Sequence, residues 1–244
     1  MSIKIVVITG VTGALGSRLA DKYIAGKYHV IGISGISGKS NPHIGTANYC
    51  EIPFDLERLD EKNSKNLVAL IEGQIPERAY SISLIHCAGK YFHKNEENPD
   101  VLDRSYSLHC KSLYLLSECL SRYWGNAGTT GCIVAVSSNL TKRHNDNIPY
   151  IVSKSAMNAL MQGLSFRMGK FGIPCYTVLP GIFMSPMSQN TSEQKIEQIR
   201  SRSINRQIVD IEDLASFITQ LEKEKKMYLS SQEFCVDYGN SLRF

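Results

Sequence analysis

The sequence has no apolar run of about 18 residues, the length a membrane-spanning helix needs, and no internal repeat or low-complexity stretch. Those absences argue against a membrane partner and a repeat array, and leave a single domain over residues 1–244. A strong charge of either sign is also missing. With 27 basic and 23 acidic residues the net charge is only +4, too mild and dispersed to suggest nucleic acid. Cysteine occurs 7 times without zinc-like spacing, in a chain too long to need disulfide staples, so neither a metal nor a disulfide framework is expected. The start, Met1-Ser2-Ile3-Lys4, runs directly into the first strand and lacks the segments of a signal peptide. The expected location is the cytoplasm.

What is present is an alternation of apolar runs and helix-like segments. Strands are expected at 3–8, 28–34, 82–86, 132–137, 174–179 and 233–236, and helices at 14–25, 60–73, 100–124, 150–170 and 211–222. A polar loop separates the second strand from the second helix, and a loop with a short helix runs to residue 207. This order predicts an α/β fold: a Rossmann-type, doubly wound parallel sheet with helices on both faces. Ligands then bind at the carboxyl ends of the strands.

Two local patterns carry chemistry. Tyr150 and Lys154 are four apart on a predicted helix and so share a face, with the serine doublet Ser137-Ser138 upstream. A free phenol has a pKa of about 10; a nearby cation favours the phenolate and brings it toward working pH. A serine hydroxyl aimed at the same spot would hold a substrate oxygen whose charge changes during reaction. The second pattern follows the run Ile5-Val6-Val7-Ile8. Thr9-Gly10-Val11-Thr12-Gly13-Ala14-Leu15-Gly16 leads into a helix-like segment. Strand, glycine turn and helix set backbone N–H groups against a pyrophosphate.

Together these motifs resemble the short-chain dehydrogenase/reductase (SDR) family, over essentially the whole chain. Residues 9–16 satisfy the family's Thr-Gly-x-x-x-(Ala/Gly)-x-Gly turn, Tyr150 and Lys154 match its catalytic pair, and Ser138 its serine. Pro180, Gly181, Phe183 and Ser185 match the segment that meets the nicotinamide, and Asp55-Leu56 the pair that meets adenine. Cys87-Ala88-Gly89 resembles the end of the Asn-Asn-Ala-Gly motif, and 236–239 the closing Val-Asp-Gly-Gly. The resemblance implies a nicotinamide cofactor and exchange between alcohol and carbonyl. It also shows departures. His86 and Cys87 replace two asparagines, and His109 stands where an asparagine usually holds a relay water, so His109 either takes over the relay or fills space. The loop from Ser138 to Tyr150 is one residue short, which keeps Ser137 as a backup for the serine role.

Cofactor choice is read at the end of the second strand. No acid occurs over residues 34–48, where an NAD-preferring fold places a carboxylate. Ser34, Ser37 and Lys39 would instead suit a 2′-phosphate, so NADP(H) is favoured over NAD(H). An arginine just before Ala14, common in NADP-preferring members, is missing. Residues 185–207 form the expected lid, carrying Lys195, Arg200, Arg202 and Arg206. With Lys90, His93, Lys94, Lys142, Arg143 and His144 in neighbouring loops, a polar, anionic or carrier-bound substrate is expected. The leading reading is ketone reduction by a ketoreductase. The alternatives are a dehydratase or epimerase, and a nucleotide-sensing protein that has lost turnover. Leu113, Leu116, Leu120 and Tyr123 on one helix and Ile151, Ala159 and Phe166 on another give each helix more apolar surface than one face needs; some must pack on the parent sheet, and the family resemblance implies that the two helices pair across a two-fold axis in a homodimer or homotetramer.

Overall fold

The computed structural model describes residues 3–35, 41–92, 99–125, 128–143 and 145–242. Ile5-Val6-Val7-Ile8 shows how the sheet is made. Ile5 and Val7 point into one core and Val6 and Ile8 into the other, so a continuous apolar run feeds both faces. Seven parallel strands line up as β3-β2-β1-β4-β5-β6-β7. They are β1 (Ile3–Thr9), β2 (His29–Ser34), β3 (Tyr49–Pro53), β4 (Ala79–His86), β5 (Ile133–Val136), β6 (Cys175–Pro180) and β7 (Glu233–Val236). The order reverses between β1 and β4, the switch point where such sheets open a crevice for ligands.

One face is covered by α2 (Glu61–Glu72), α4 (Ser112–Trp124) and α5 (Ile148–Gly169), through Leu67, Leu116, Met157 and their neighbours. The other is covered by α1 (Ala14–Ala25) and α7 (Ile211–Glu224), through Leu19, Tyr23, Leu214 and Ile218. The helix expected at 100–124 is instead three pieces. α3 (Pro99–Tyr106) joins α4 through a π-helical turn, Ser107–Lys111, centred on His109. The polar loop after β2 hides β3, a short edge strand that sequence reading missed. Its Tyr-Cys-Glu-Ile-Pro does not alternate cleanly and ends in proline, which suits only a sheet edge.

The residues named for assembly divide between the sheet and the surface. Leu113, Leu116 and Leu120 are fully buried against this chain's own sheet. Phe166 on α5 is exposed as expected, and on these helices Leu102 and Tyr106 of α3, Tyr114 of α4, and Ile148 and Val152 of α5 are exposed as well. The helix α6 (Glu193–Arg202), within the segment expected to form a lid, buries none of its residues. Among the described residues, no helix is long and apolar enough to cross a membrane.

Candidate active site

The glycine turn is fixed by backbone contact. Gly10 has φ +68°, and a Cβ there would meet Ala88 Cα at 2.9 Å. A Cβ on Gly16 would meet the Gly10 carbonyl oxygen at 2.1 Å, so no larger residue fits. Gly13 N-caps α1 without a side-chain hydrogen bond, and the first turn holds no acid. The leading N–H groups, from Ala14, Leu15 and Gly16, and the positive end of the helix therefore suit an anion. Thr12 and Gly13 reach the surface of this turn. Thr9 ties the turn to β4: its hydroxyl accepts from Ala88 N at 3.0 Å and lies 2.9 Å from His86 Nδ1.

Around this turn lie the other residues matched to a dinucleotide. Asp55 spends its Oδ1 accepting from Glu57 N, and Leu56 is buried beneath it. Pro180 and Gly181 end β6, where Gly181 N donates to Val236 O at 2.9 Å. The buried Ser188, missed in sequence reading, braces the next turn by accepting from Ser185 N and donating to Phe183 O. Ser34 ends β2 but is itself buried, which leaves its hydroxyl poorly placed for a 2′-phosphate. Ser37 and Lys39 lie outside the described residues. The fold also brings up a carboxylate from beyond residues 34–48. Glu51 on β3 accepts from Asn41 N and the Tyr49 hydroxyl, and Asn41 Nδ2 reaches Val11 O in the glycine turn. Both donors are taken by Oε2, which holds Glu51 as a brace of the loop.

Ser138 follows the end of β5, and Tyr150 and Lys154 sit on the first turns of α5, whose N-cap is Asn147. The Tyr150 phenol is buried, and the Ser138 hydroxyl is near enough to lower its pKa. The Ser137 hydroxyl is buried with no hydrogen-bond partner and takes no part in this contact, which favours Ser138 over its neighbour. Tyr91 packs against the phenol ring at 5.2 Å and His109 meets its edge at 5.7 Å.

The lowered phenol pKa expected beside the lysine is not found, because burial dominates. Burial pushes the Tyr150 pKa up to about 12, with Ser138 pulling the other way. Lys154 Nζ lies 5.9 Å from the ring centroid and donates to Val136 O at 2.8 Å. Burial brings its own pKa down to about 8. The phenol is thus held as an acid, and the ammonium is close to giving up its proton. Burial also pushes the Cys87 thiol up to about 12, so Cys87 carries no thiolate chemistry.

His109 is fully buried in the π-helical turn. Ser153 Oγ lies 2.8 Å from Pro149 O and 3.0 Å from Tyr150 O, which claim its single proton. Its lone pair then accepts from His109 Nδ1 at 2.8 Å, which assigns the proton to Nδ1 and leaves Nε2 as a bare acceptor. That Nε2 has no partner and stands 3.5 Å from where a Gly89 Cβ would sit, with Lys154 Nζ 3.6 Å from the same point. Burial and the Lys154 charge hold His109 well below its ordinary pKa, and they hold His86 at about 3. Both imidazoles are neutral. Among the basic loop residues, Lys90 pairs with Glu57 and Lys142 with Glu233, while His93, Lys94 and His144 lie outside the described residues.

A doubly wound sheet with a glycine turn at its switch point, and a tyrosine, lysine and serine beside it, defines a dinucleotide-binding class. The family model described as short chain dehydrogenase matches residues 4–196, and the chain belongs to that family. It is similar to the (3R)-3-hydroxyacyl-CoA dehydrogenase of Canis lupus familiaris, 27% identical over 57% of this chain and 54% of that protein. It is also similar to the L-rhamnose 1-dehydrogenase (NAD(P)(+)) of a Sphingomonas species, 28% identical over 61% and 60%. These matches thus span little more than half the length of the curated relatives. Among solved structures, 4-hydroxyisoleucine dehydrogenase complexed with NADH superposes with a TM-score of 0.87 at 19% identity, covering 99% of this chain and 100% of that one. A short chain dehydrogenase family protein from Francisella tularensis gives 0.81 at 17% identity, covering 99% and 100%. At these identities the likeness to the two structures is one of fold.

Proposed function

We propose that this protein is an NADP(H)-dependent oxidoreductase that reduces a ketone to a secondary alcohol, on a small polar or carrier-bound substrate, as a homo-oligomer. The observation that carries the reading is the buried Tyr150 phenol, its pKa pulled down by Ser138 against burial, one helical turn from a lysine whose pKa is lowered to about 8. A nicotinamide dinucleotide, when bound, supplies the hydride. Gly10, Thr12, Gly13, Ala14, Leu15, Gly16, Asp55, Ala88, Gly89 and the 180–185 segment are the residues that would hold it, and the uncapped start of α1 fits its pyrophosphate.

Tyr150 gives its proton to the carbonyl oxygen, and Ser138 donates a hydrogen bond to the same atom. Lys154 restores the phenol's proton, and the bare Nε2 of neutral His109 faces the same niche, so His109 belongs to that path rather than to packing alone. The lack of an acid over residues 34–48, with Glu51 turned into a brace, supports NADP(H) over NAD(H). The relatives named as dehydrogenases of a hydroxyacyl-CoA and of a sugar support chemistry at an alcohol carbon.

Calorimetric titration with NADPH and NADH tests the nucleotide, and NADH affinity equal to or better than NADPH refutes the preference. Following nicotinamide absorbance with a panel of ketones and secondary alcohols tests the reaction. Turnover of at least one pair is expected, and none at all with either nucleotide contradicts the reading.

A further inference from the structure

The start of α5 reads Asn147-Ile148-Pro149-Tyr150, and its capping bond falls on the Tyr150 amide itself. An N-cap oxygen takes the N–H of the second or third helical residue. Pro149 fills the second position and has no N–H, which leaves Tyr150 N as the donor. Asn147 Oδ1 accepts from it at 3.1 Å. Serine or aspartate would serve that cap as well as asparagine does. Of the three, only asparagine keeps an amide nitrogen that must donate elsewhere.

That nitrogen, Nδ2, donates to Phe92 O, and both residues are buried. Stripping a buried carbonyl of its partner is costly, so the amide holds the chain at Phe92 in place. The Phe92 ring is fixed separately, with Lys90 Nζ 4.6 Å and Arg104 Cζ 4.9 Å from its centroid. Both cations pair with Glu57. Tyr91 thus sits between two anchored neighbours. Its half-buried ring rests 5.2 Å from that of Tyr150, tilted by 54°. One side chain therefore bonds both the backbone of Tyr150 and the backbone next to Tyr91, across 55 residues of sequence.

We propose that Asn147 is a positioning residue: it sets the Tyr91 ring as a wall against the Tyr150 phenol and so fixes where that phenol meets the substrate. This rests on the oxidoreductase reading, with Tyr150 as the acid. The two ends of one amide then have separate functions. Oδ1 caps the helix and contributes stability, while Nδ2 registers the Tyr91 loop against the phenol. A phenol out of register with the carbonyl oxygen loses turnover steeply even for a small displacement.

The test separates cap from clamp. Asn147→Ser keeps an oxygen for the cap and loses the reach to Phe92 O, whereas Asn147→Ala loses both. Asn147→Ser should resist denaturant better than Asn147→Ala, yet both should lose kcat alike, by about tenfold or more. Wild-type kcat in Asn147→Ser would leave a cap alone and overturns the proposal. Tyr91→Leu should lower kcat by a similar factor, and adding Asn147→Ser to it should cost nothing further. Effects that multiply, or an unchanged kcat in Tyr91→Leu, overturn the route through Tyr91. A crystal structure of Asn147→Ser needs no turnover: the Tyr91 ring should leave its place 5.2 Å from that of Tyr150. If no ketone or alcohol reacts with the wild type, the oxidoreductase reading fails and this structure alone judges the clamp. A displaced ring then upholds it, and an unmoved ring overturns it in either case.

Discussion

At the residue scale, the site depends on what burial does to a phenol and an ammonium one helical turn apart. The two shifts run in opposite directions: Tyr150 up to about 12 and Lys154 down to about 8. A lysine whose native pKa is lowered from the usual value of about 10.4 has a definite linkage sign. Between pH 8 and 10 the unfolded chain keeps the proton that the native protein has released, so this group adds stability as pH rises. Cys87 and Cys110 work the other way, because burial raises their native pKa values to about 12 and about 11. The difference between wild type and Lys154→Met isolates the lysine. Denaturant unfolding should show wild type gaining on the variant from pH 8 to pH 10, and a constant or shrinking gap contradicts the burial argument. Tyr150, Lys154 and Ser138 were legible because a four-residue spacing and a strand-end serine are patterns in sequence. The tautomer of His109 was not, because it depends on which carbonyls claim the Ser153 proton, and only the folded helix decides that.

At the scale of elements, most strands and helices were legible because each apolar run fills two cores and each helix carries one apolar face. The first helix and the last strand match their expected bounds, Ala14–Ala25 and Glu233–Val236. Failures fell where local pattern and tertiary placement part. β3 is an edge strand with too little alternation to stand out. The π-helical turn cannot be seen in sequence, because an extra residue in a helical turn leaves the composition unchanged. That turn sets His109 against Ser153 and Gly89. The Glu51 brace was missed for a related reason: an acid well past the expected window is returned to β2 by strand pairing, with Glu51 opposite Gly32.

For the whole molecule, α3, α4 and α5 each leave apolar side chains in water. Phe166 is 91% exposed, and Tyr106 and Tyr114 are each 45% exposed. Rings left in water on neighbouring helices favour a two-fold contact with a second copy. The account predicts a homodimer or homotetramer in light scattering at micromolar concentration. Phe166→Glu should lower the mass, since it sets a charge on each side of such a contact. A wild-type mass near the 27.2 kDa of one chain contradicts this.

The proposed reaction turns on one buried phenol moving the proton of an alcohol–carbonyl exchange. Tyr150→Phe removes only that hydroxyl and leaves the ring between Tyr91 and His109. The decisive measurement is steady-state turnover of this variant, followed by nicotinamide absorbance, alongside calorimetric nucleotide affinity. The account predicts unchanged nucleotide affinity and a fall in kcat of about two or more orders of magnitude. Turnover retained near the wild-type rate would contradict it.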